Sequence, residues 1–212
     1  MRRLGLAPLA FYLAAAAAWA ANPSGQAVMA AVLRRTAAVN DYRVDLKLTV
    51  KGENISINGM AMTLYYKKPD KMRIEARQGV GIIPSGTYIG DPIAGILRQR
   101  KPVYLKSERL NGVECHVLRL EPAEPTAGQQ PMTVWVDKRR NVVLATEASE
   151  PFHTRTTWRY STVERRFYLP VEMKAEIDME QQGKVRAVVT FSGYRINRGI
   201  PDSVFDQKPG NK

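Results

Sequence analysis

The segment "VEMKAEIDM", residues 171–179, decides the fold class. Val171, Met173, Ala175, Ile177 and Met179 alternate with Glu172, Lys174, Glu176 and Asp178. A strict period of two puts the apolar side chains on one face of a β-strand and the charges on the other. A strand this long with a fully charged face is not buried on both sides, which points to an antiparallel sheet. What covers the apolar face then becomes the functional question.

The same pattern recurs along the chain. "RVDLKLTVK" (43–51) turns Val44, Leu46, Leu48 and Val50 to one side. "NISINGMAMTLYY" (54–66) opens on Ile55 and Ile57 and changes parity after Asn58-Gly59 to Met60, Met62 and Leu64. A glycine at a parity change predicts a β-bulge. After a turn at Lys67-Lys68-Pro69-Asp70, "KMRIEAR" (71–77) turns Met72, Ile74 and Ala76 inward. Asn111-Gly112 inside "VYLKSERLNGVECHVLRLEP" is a strong hairpin signal. "MTVWVDKRRNVVLATE" predicts a second hairpin about Asp137 to Asn141, and "TRTTWRYS" with "RFYLPVEMKAEIDM" another pair. "KVRAVVTFSGYRI" reads as the last strand, before a Pro- and Gly-rich tail pinned by Ile200, Val204 and Phe205. The expected total is ten or eleven strands.

Ahead of the strands, "SGQAVMAAVLRRTAAVNDY" predicts one amphipathic helix over 24–40, of about four turns, capped by Ser24. Val28, Val32, Leu33 and Val39 fall near helical spacing, with Met29 beside them. Residues 78–102 are rich in Gly and Pro yet apolar, and Asp91-Pro92 reads as a helix start. The short helix that follows, with Ile93, Ile96 and Leu97, reads either as a lid or plug or as a packed connection.

The first residues are expected to be a leader. Arg2 and Arg3 precede an apolar run from Leu4 to Ala17, and Ala18-Trp19-Ala20 is a small-x-small cleavage signal. Cleavage is expected between Ala20 and Ala21, making 1–20 a signal peptide and 21–212 a single periplasmic domain. The competing reading is an uncleaved anchor, for which the run is short. The lone Cys115 excludes an internal disulfide, and its place within a strand favours a buried apolar role over a reactive thiol. The formal net charge of +12 falls to +10 when Arg2 and Arg3 are lost. Such a charge is either a solvated basic surface or an attraction to acidic lipid headgroups, polyanionic glycans or an acidic envelope protein. No nucleic-acid motif is visible, and no nucleic-acid partner, cofactor or metal is expected. A monomer is expected.

Leaving a dozen inward apolar side chains exposed would forfeit about 20–30 kcal/mol, more than the total stability of a typical domain, about 5–15 kcal/mol. The dry face is therefore covered. A sheet of about ten strands also curls. The expected architecture is mainly β: a half-open antiparallel β-barrel with an N-terminal helix and a short lid or plug helix over an apolar cavity. The expected lining begins with Val44, Leu46, Leu48 and Val50, then Met60, Met62 and Leu64, then Met72 and Ile74. Met132 and Val134 continue it, followed by Val171, Met173, Ile177 and Met179, and finally Val189 and Phe191. The methionines suit either a surface that accepts varied apolar partners or gap filling in an irregular core.

Four segments, "LYYKKPDKMRIEA" (64–76), "MTVWVDKRRNVVLATE" (132–147), "RFYLPVEMKAEI" (166–177) and "YRINRGIPDSVFDQKP" (194–209), together resemble the LolA-like superfamily of bacterial outer-membrane lipoprotein-sorting proteins. The shared motifs read Y-x-x-P-D-K-x-R and G-I-P-D-S-x-F, and residues 78–102 depart from the pattern. The resemblance implies a half-open barrel of about eleven antiparallel strands, a helical lid and an apolar cavity for lipoprotein acyl chains. It also implies an arginine in the barrel that latches the lid, for which Arg43 and Arg73 are the candidates by position.

Catalysis finds little support. His116 and His153 are the only histidines, and no His-Glu-x-x-His, Gly-x-Ser-x-Gly, Cys-x-x-Cys or phosphate-cradling glycine loop is present. Three readings remain: a carrier of lipid or lipoprotein acyl chains, a module that presents its basic outer face to an envelope partner or anionic membrane, and an enzyme on the same scaffold.

Overall fold

The computed structural model describes residues 22–76, 100–123, 130–149, 152–179 and 183–206. The expected leader (1–20), the cleavage pair Ala20 and Ala21, and the expected lid residues Ile93, Ile96 and Leu97 lie outside the described residues.

Ten strands form one antiparallel sheet in the order β3-β2-β1-β10-β9-β8-β7-β6-β5-β4. They are β1 (Asp41–Lys51), β2 (Ser56–Lys67), β3 (Lys71–Ala76), β4 (Arg100–Leu110) and β5 (Val113–Pro122). β6 (Met132–Asp137), β7 (Val143–Ala148), β8 (His153–Val163), β9 (Phe167–Met179) and β10 (Gly183–Ile196) complete the sheet. Helix α1 spans Gly25–Arg35, and a short α2 spans Ser203–Asp206. The sheet stays open between β3 and β4, so the half-open architecture expected from the strand pattern is what the chain adopts. All pairs but one join strands adjacent in sequence. The exception is β1 with β10, from Tyr42↔Ile196 to Lys51↔Arg186.

Local chemistry explains the turns. Asn111 (φ 47) and Gly112 (φ 83) make the two-residue β4–β5 turn, in the left-handed conformation that Asn-Gly tolerates. Gly59 sits at φ 72 where the β1–β2 register jumps between Leu48↔Met60 and Val50↔Ile57. This is the bulge that the parity change predicts. It lets Ile57, Met60 and Met62 all reach the same core.

Helix α1 is shorter than its sequence pattern implies. Ser24 caps it through a 3.1 Å bond from the Ala27 N–H, but it ends at Arg35 rather than near residue 40. The next residues are taken by other partners. The Ala37 carbonyl accepts from Lys68 Nζ at 2.6 Å, and the Ala38 carbonyl from Asn197 Nδ2 at 2.8 Å. Val39 packs into the sheet core, and Leu33 is exposed. The buried helical face is Gly25, Val28, Met29 and Val32. No helix among the described residues is long and apolar enough to cross a membrane.

The two motif segments form one unit. Asp41 is buried; its carboxylate accepts the N–H groups of Arg198 (3.0 Å) and Gly199 (3.2 Å), and its carbonyl accepts the Asn197 N–H at 2.8 Å. The tail then crosses the β2–β3 hairpin. Lys67 Nζ donates to the Ile200 carbonyl (2.9 Å) and to Asp202 (2.5 Å), and Lys71 pairs with Asp202 at 3.1 Å. Arg73 donates to the Val204 carbonyl at 2.9 Å and pairs with Glu75.

Two predictions follow from these contacts. A Cβ on Gly25 would collide with the Pro102 carbonyl oxygen, which belongs to the β-strand backbone. Gly25→Ala is expected to destabilise the fold by about 1–3 kcal/mol, read as a fall of about 2–4 °C in Tm per kcal/mol; an unchanged Tm would show that α1 does not lie against β4. The bonds from Lys67 and Lys71 hold the Asp202 carboxyl below its usual range. A depressed carboxyl pKa adds stability above the unfolded value, about 3.9, and loses it as pH falls through the folded value. Amide exchange at residues 200–206 should therefore match from pH 7 to 5 after correction for intrinsic rates, and quicken below about pH 3.9. In Asp202→Asn it should be fast throughout, and slow exchange in that variant would refute the clamp.

Candidate functional site

The concave face of the sheet carries two apolar clusters. The first lies on β1, β2, β9 and β10. Val44, Leu46, Leu48 and Val50 meet Met62 and Leu64 on one side and Val189 and Phe191 on the other. Met173 extends the cluster from β9, all of these side chains are buried, and Met60, Ile74 and Ile177 pack on it half-buried. The second cluster lies under α1. Val28, Met29 and Val32 rest on Leu118, Leu120, Val134, Val136 and Val143, with Met132 beside them. Trp158 on β8 touches both clusters.

The apolar face of the opening segment continues across the neighbouring strand. Met173 stands opposite Val189, Ala175 opposite Ala187 and Ile177 opposite Val185. Helix α1 does not lie over this strand but over β5, β6 and β7. The charged face is wet: Glu172 pairs with Arg159 and Lys174, and Glu176 with Arg186.

Most of the expected lining residues share the concave face, but not one cavity. Met132 and Val134 belong to the helix-covered cluster. Met72 lies on the edge strand opposite Tyr66 and is 43% exposed. Val171 sits where the β8–β9 register slips between Arg159↔Glu172 and Tyr160↔Pro170, outside the main cluster. Met179 ends β9, paired with Gly183. Arg43 and Arg73, the latch candidates, do not face inward. Both stand opposite Tyr65, on the parity opposite to Val44 and Leu64, and are engaged with Asp45 and with Glu75 and the tail.

Where the two clusters meet beside the end of α1, the structure holds a cleft that the alternation pattern does not reveal. Val32, Thr36 and Val39 face Tyr42, Tyr160, Tyr168, Leu169, Phe191 and Tyr194 across it. It encloses about 30 Å³ and is almost wholly apolar. That volume suits about one water, so an acyl chain enters only if the side chains part. The tyrosines are organised: Tyr42 stacks on Tyr66 at 5.1 Å, Tyr160 on Tyr168 at 5.6 Å, and Tyr194 Oη donates to the Pro170 carbonyl at 2.6 Å. Tyr42 and Tyr66 continue the parities of Val44 and Leu64, so a longer reading of those strands finds them. Leu169 keeps the parity of Met173 and lies in its cluster, whereas Tyr168, beyond the β9 register slip, has the opposite parity and is placed at the cleft only by the packing.

Among the described residues no group of three or more His, Cys, Asp and Glu could hold a metal ion. Burial, then the charge of Lys138, holds His116 below its ordinary value, so it is neutral at pH 7. Its ring lies edge-on to Tyr104 at 5.8 Å. Cys115 lies with Val117, Trp135 and Ala145 in a third small cluster, and burial pushes its thiol above its ordinary value. Glu108 is held low by Lys106 and accepts a bond from Trp135 Nε1.

A family model described as "-like: Uncharacterized protein" matches residues 91–209, more than half of the chain, and the chain belongs to that family. Its fold is that of the LolA superfamily. A LolA superfamily protein from Nitrosomonas europaea is 11% identical, with a TM-score of 0.66 over 87% of this chain and 98% of that one. A DUF1329 family protein from Desulfovibrio piger is 12% identical, with a TM-score of 0.60 over 87% and 98%. A putative outer membrane lipoprotein-sorting protein domain from Vibrio parahaemolyticus is 15% identical, with a TM-score of 0.60 over 86% and 97%. No curated protein matches the sequence.

The buried, raised-pKa thiol yields a direct test. Cys115 is expected to resist an aromatic disulfide reagent at pH 8 in the folded protein and to react at once in denaturant. Rapid labelling of the folded chain would expose the third cluster as open.

Proposed function

We propose that the protein is a periplasmic carrier or binding protein for lipid acyl chains, acting in the sorting of lipoproteins to or in the outer membrane. The observation that carries this reading is the concave cluster on β1, β2, β9 and β10. It is a continuous apolar floor built from Leu48, Met60, Met62, Met173 and their neighbours. Among the described residues, the only helix on the concave face packs on the other cluster. An acyl chain laid on such a floor gains about 0.8 kcal/mol for each methylene it buries. Methionines allow the floor to re-pack around chains of different shape. The similar fold from Vibrio parahaemolyticus, described as a putative outer membrane lipoprotein-sorting protein domain, agrees with this reading. The role is binding rather than catalysis, because the buried side chains of the floor are apolar.

The protein purified without detergent should saturate with a fluorescent fatty acid near one to one. Met60→Glu and Ile74→Glu place a carboxylate at half-buried positions on the floor, where the fold tolerates it better than at Met173. Each should weaken binding about tenfold or more by setting an unpaired polar group against the chain. Wild-type affinity in both folded variants, or no binding by the wild type, would refute the reading.

A further inference from the structure

The end of the barrel where α1 stops brings three connections together: the last turn of α1, the β6–β7 turn and the β8–β9 turn. Their meeting point is Tyr168. The Arg35 guanidinium carbon lies 5.6 Å from the centre of its ring, and that of Arg140 lies 5.1 Å away. These connections carry Arg34, Arg35, Arg139, Arg140, Arg165 and Arg166, all exposed.

Among the described residues none of the six pairs with a carboxylate, and the acids beside them are engaged elsewhere. Asp137 Oδ1 accepts the backbone N–H groups of Arg139 (2.7 Å) and Arg140 (3.0 Å). Glu164 accepts the Ile196 N–H at 3.3 Å and pairs with Arg198 at 3.7 Å. The outer faces of the strands behave differently. Arg155, Arg159 and Arg186 each pair with a glutamate on a neighbouring strand. Among the described residues, these three arginines of the barrel wall thus meet glutamates, whereas the six at this end meet none.

The backbone adds a second observation. Glu164 (φ 46) and Arg165 (φ 57) both hold the left-handed conformation in the β8–β9 turn. The β4–β5 turn has the same sign of φ and fills it with Asn111-Gly112, the residues that tolerate it. The β8–β9 turn instead keeps an arginine at a strained position and follows it with a second.

We propose that this arginine-rich end docks the barrel on an anionic phospholipid surface. Guanidinium groups bond phosphate oxygens in pairs, and their long stems lie along apolar matter while the charge stays at the headgroups. The rest of the end suits the same occupant. Tyr168 and Phe167 lie among the arginines, and Leu33 is exposed beside Arg34; aromatic and basic residues together are the composition of a membrane–water interface. The docking face stands independently of what the concave floor binds.

Flotation with vesicles of phosphatidylglycerol and phosphatidylcholine tests the proposal. The wild type should float with the anionic vesicles at low salt, not with pure phosphatidylcholine, and should dissociate as salt rises. Arg165→Gly removes a charge and relieves the left-handed strain, so a loss of binding in that variant is not a loss of fold. Paired with Arg139→Gln, it should weaken vesicle binding about 25-fold, fivefold for each charge removed. The control pair Lys184→Gln and Arg186→Gln removes the same charge near the β9–β10 connection, at the opposite end, and should change binding less than about twofold by the same scale. Equal losses in the two pairs would reduce the effect to overall charge and overturn the site. Binding to soluble polyaspartate with no flotation would overturn the lipid surface in favour of an acidic partner.

Discussion

The pairing of β1 with β10 holds the rest of the molecule together. It is the one strand pair that joins residues far apart in sequence, running from Tyr42↔Ile196 to Lys51↔Arg186. Without it the sheet separates into a three-stranded piece, β1 to β3, and a seven-stranded meander, β4 to β10. The larger cluster spans that junction, since Leu46 and Leu48 lie between Met62 and Met60 of β2 and Phe191 and Val189 of β10. Closing so long a loop is entropically unfavourable. The chain reinforces the junction at its end with the Asp41 carboxylate and the Asn197 side chain, which together bond both sides of it. The tail laid over Lys67, Lys71 and Arg73 then ties the outer edge of the three-stranded piece to the same knot.

The two concave clusters divide the labour of covering the sheet. Under α1 the cover belongs to the chain itself, and it is seated closely, because Gly25 leaves no room for a side chain against Pro102. Over β1, β2, β9 and β10 the apolar residues are packed on one another. Trp158 touches both groups, and the tyrosine cleft beside the end of α1 marks where they would part. The arginines of α1 and the β6–β7 turn stand over one of those tyrosines, so the charged end and the apolar interior share a boundary at Tyr168.

The two motifs behind the family resemblance acquire a physical meaning here. One supplies Lys67, Lys71 and Arg73, and the other supplies Asp202 and the carbonyls of Ile200 and Val204 that those bases hold. They are spaced far apart in sequence because they are the two halves of one contact. The same contact explains why Arg73 is no latch: it lies on the outer face of the sheet and is committed to the tail.

The sequence by itself determined the elements whose causes are local. Alternation in "VEMKAEIDM" and its counterparts named the strands and their dry sides, Asn111-Gly112 named a hairpin, Gly59 named a bulge, and Ser24 named the start of α1. Each follows from sterics or hydrogen bonding within a few residues, and the half-open barrel follows from the number of strands. Tertiary structure decided the rest. Past Arg35 the Ala37 and Val39 N–H groups turn back to the Arg34 and Thr36 carbonyls, and Asn197, remote in sequence, takes the Asn40 N–H that a longer helix would have used. The dry face resolved into two clusters because α1 settled on β5 to β7, a choice of partner that periodicity does not encode. Beyond the slip in the β8–β9 register, Tyr168 reaches the cleft although its parity is opposite to that of Met173 and Leu169, and a parity argument does not place it there. The charge told a similar story: composition set its sign, but only the pairing of strands showed which arginines meet a carboxylate and which are left together at one end.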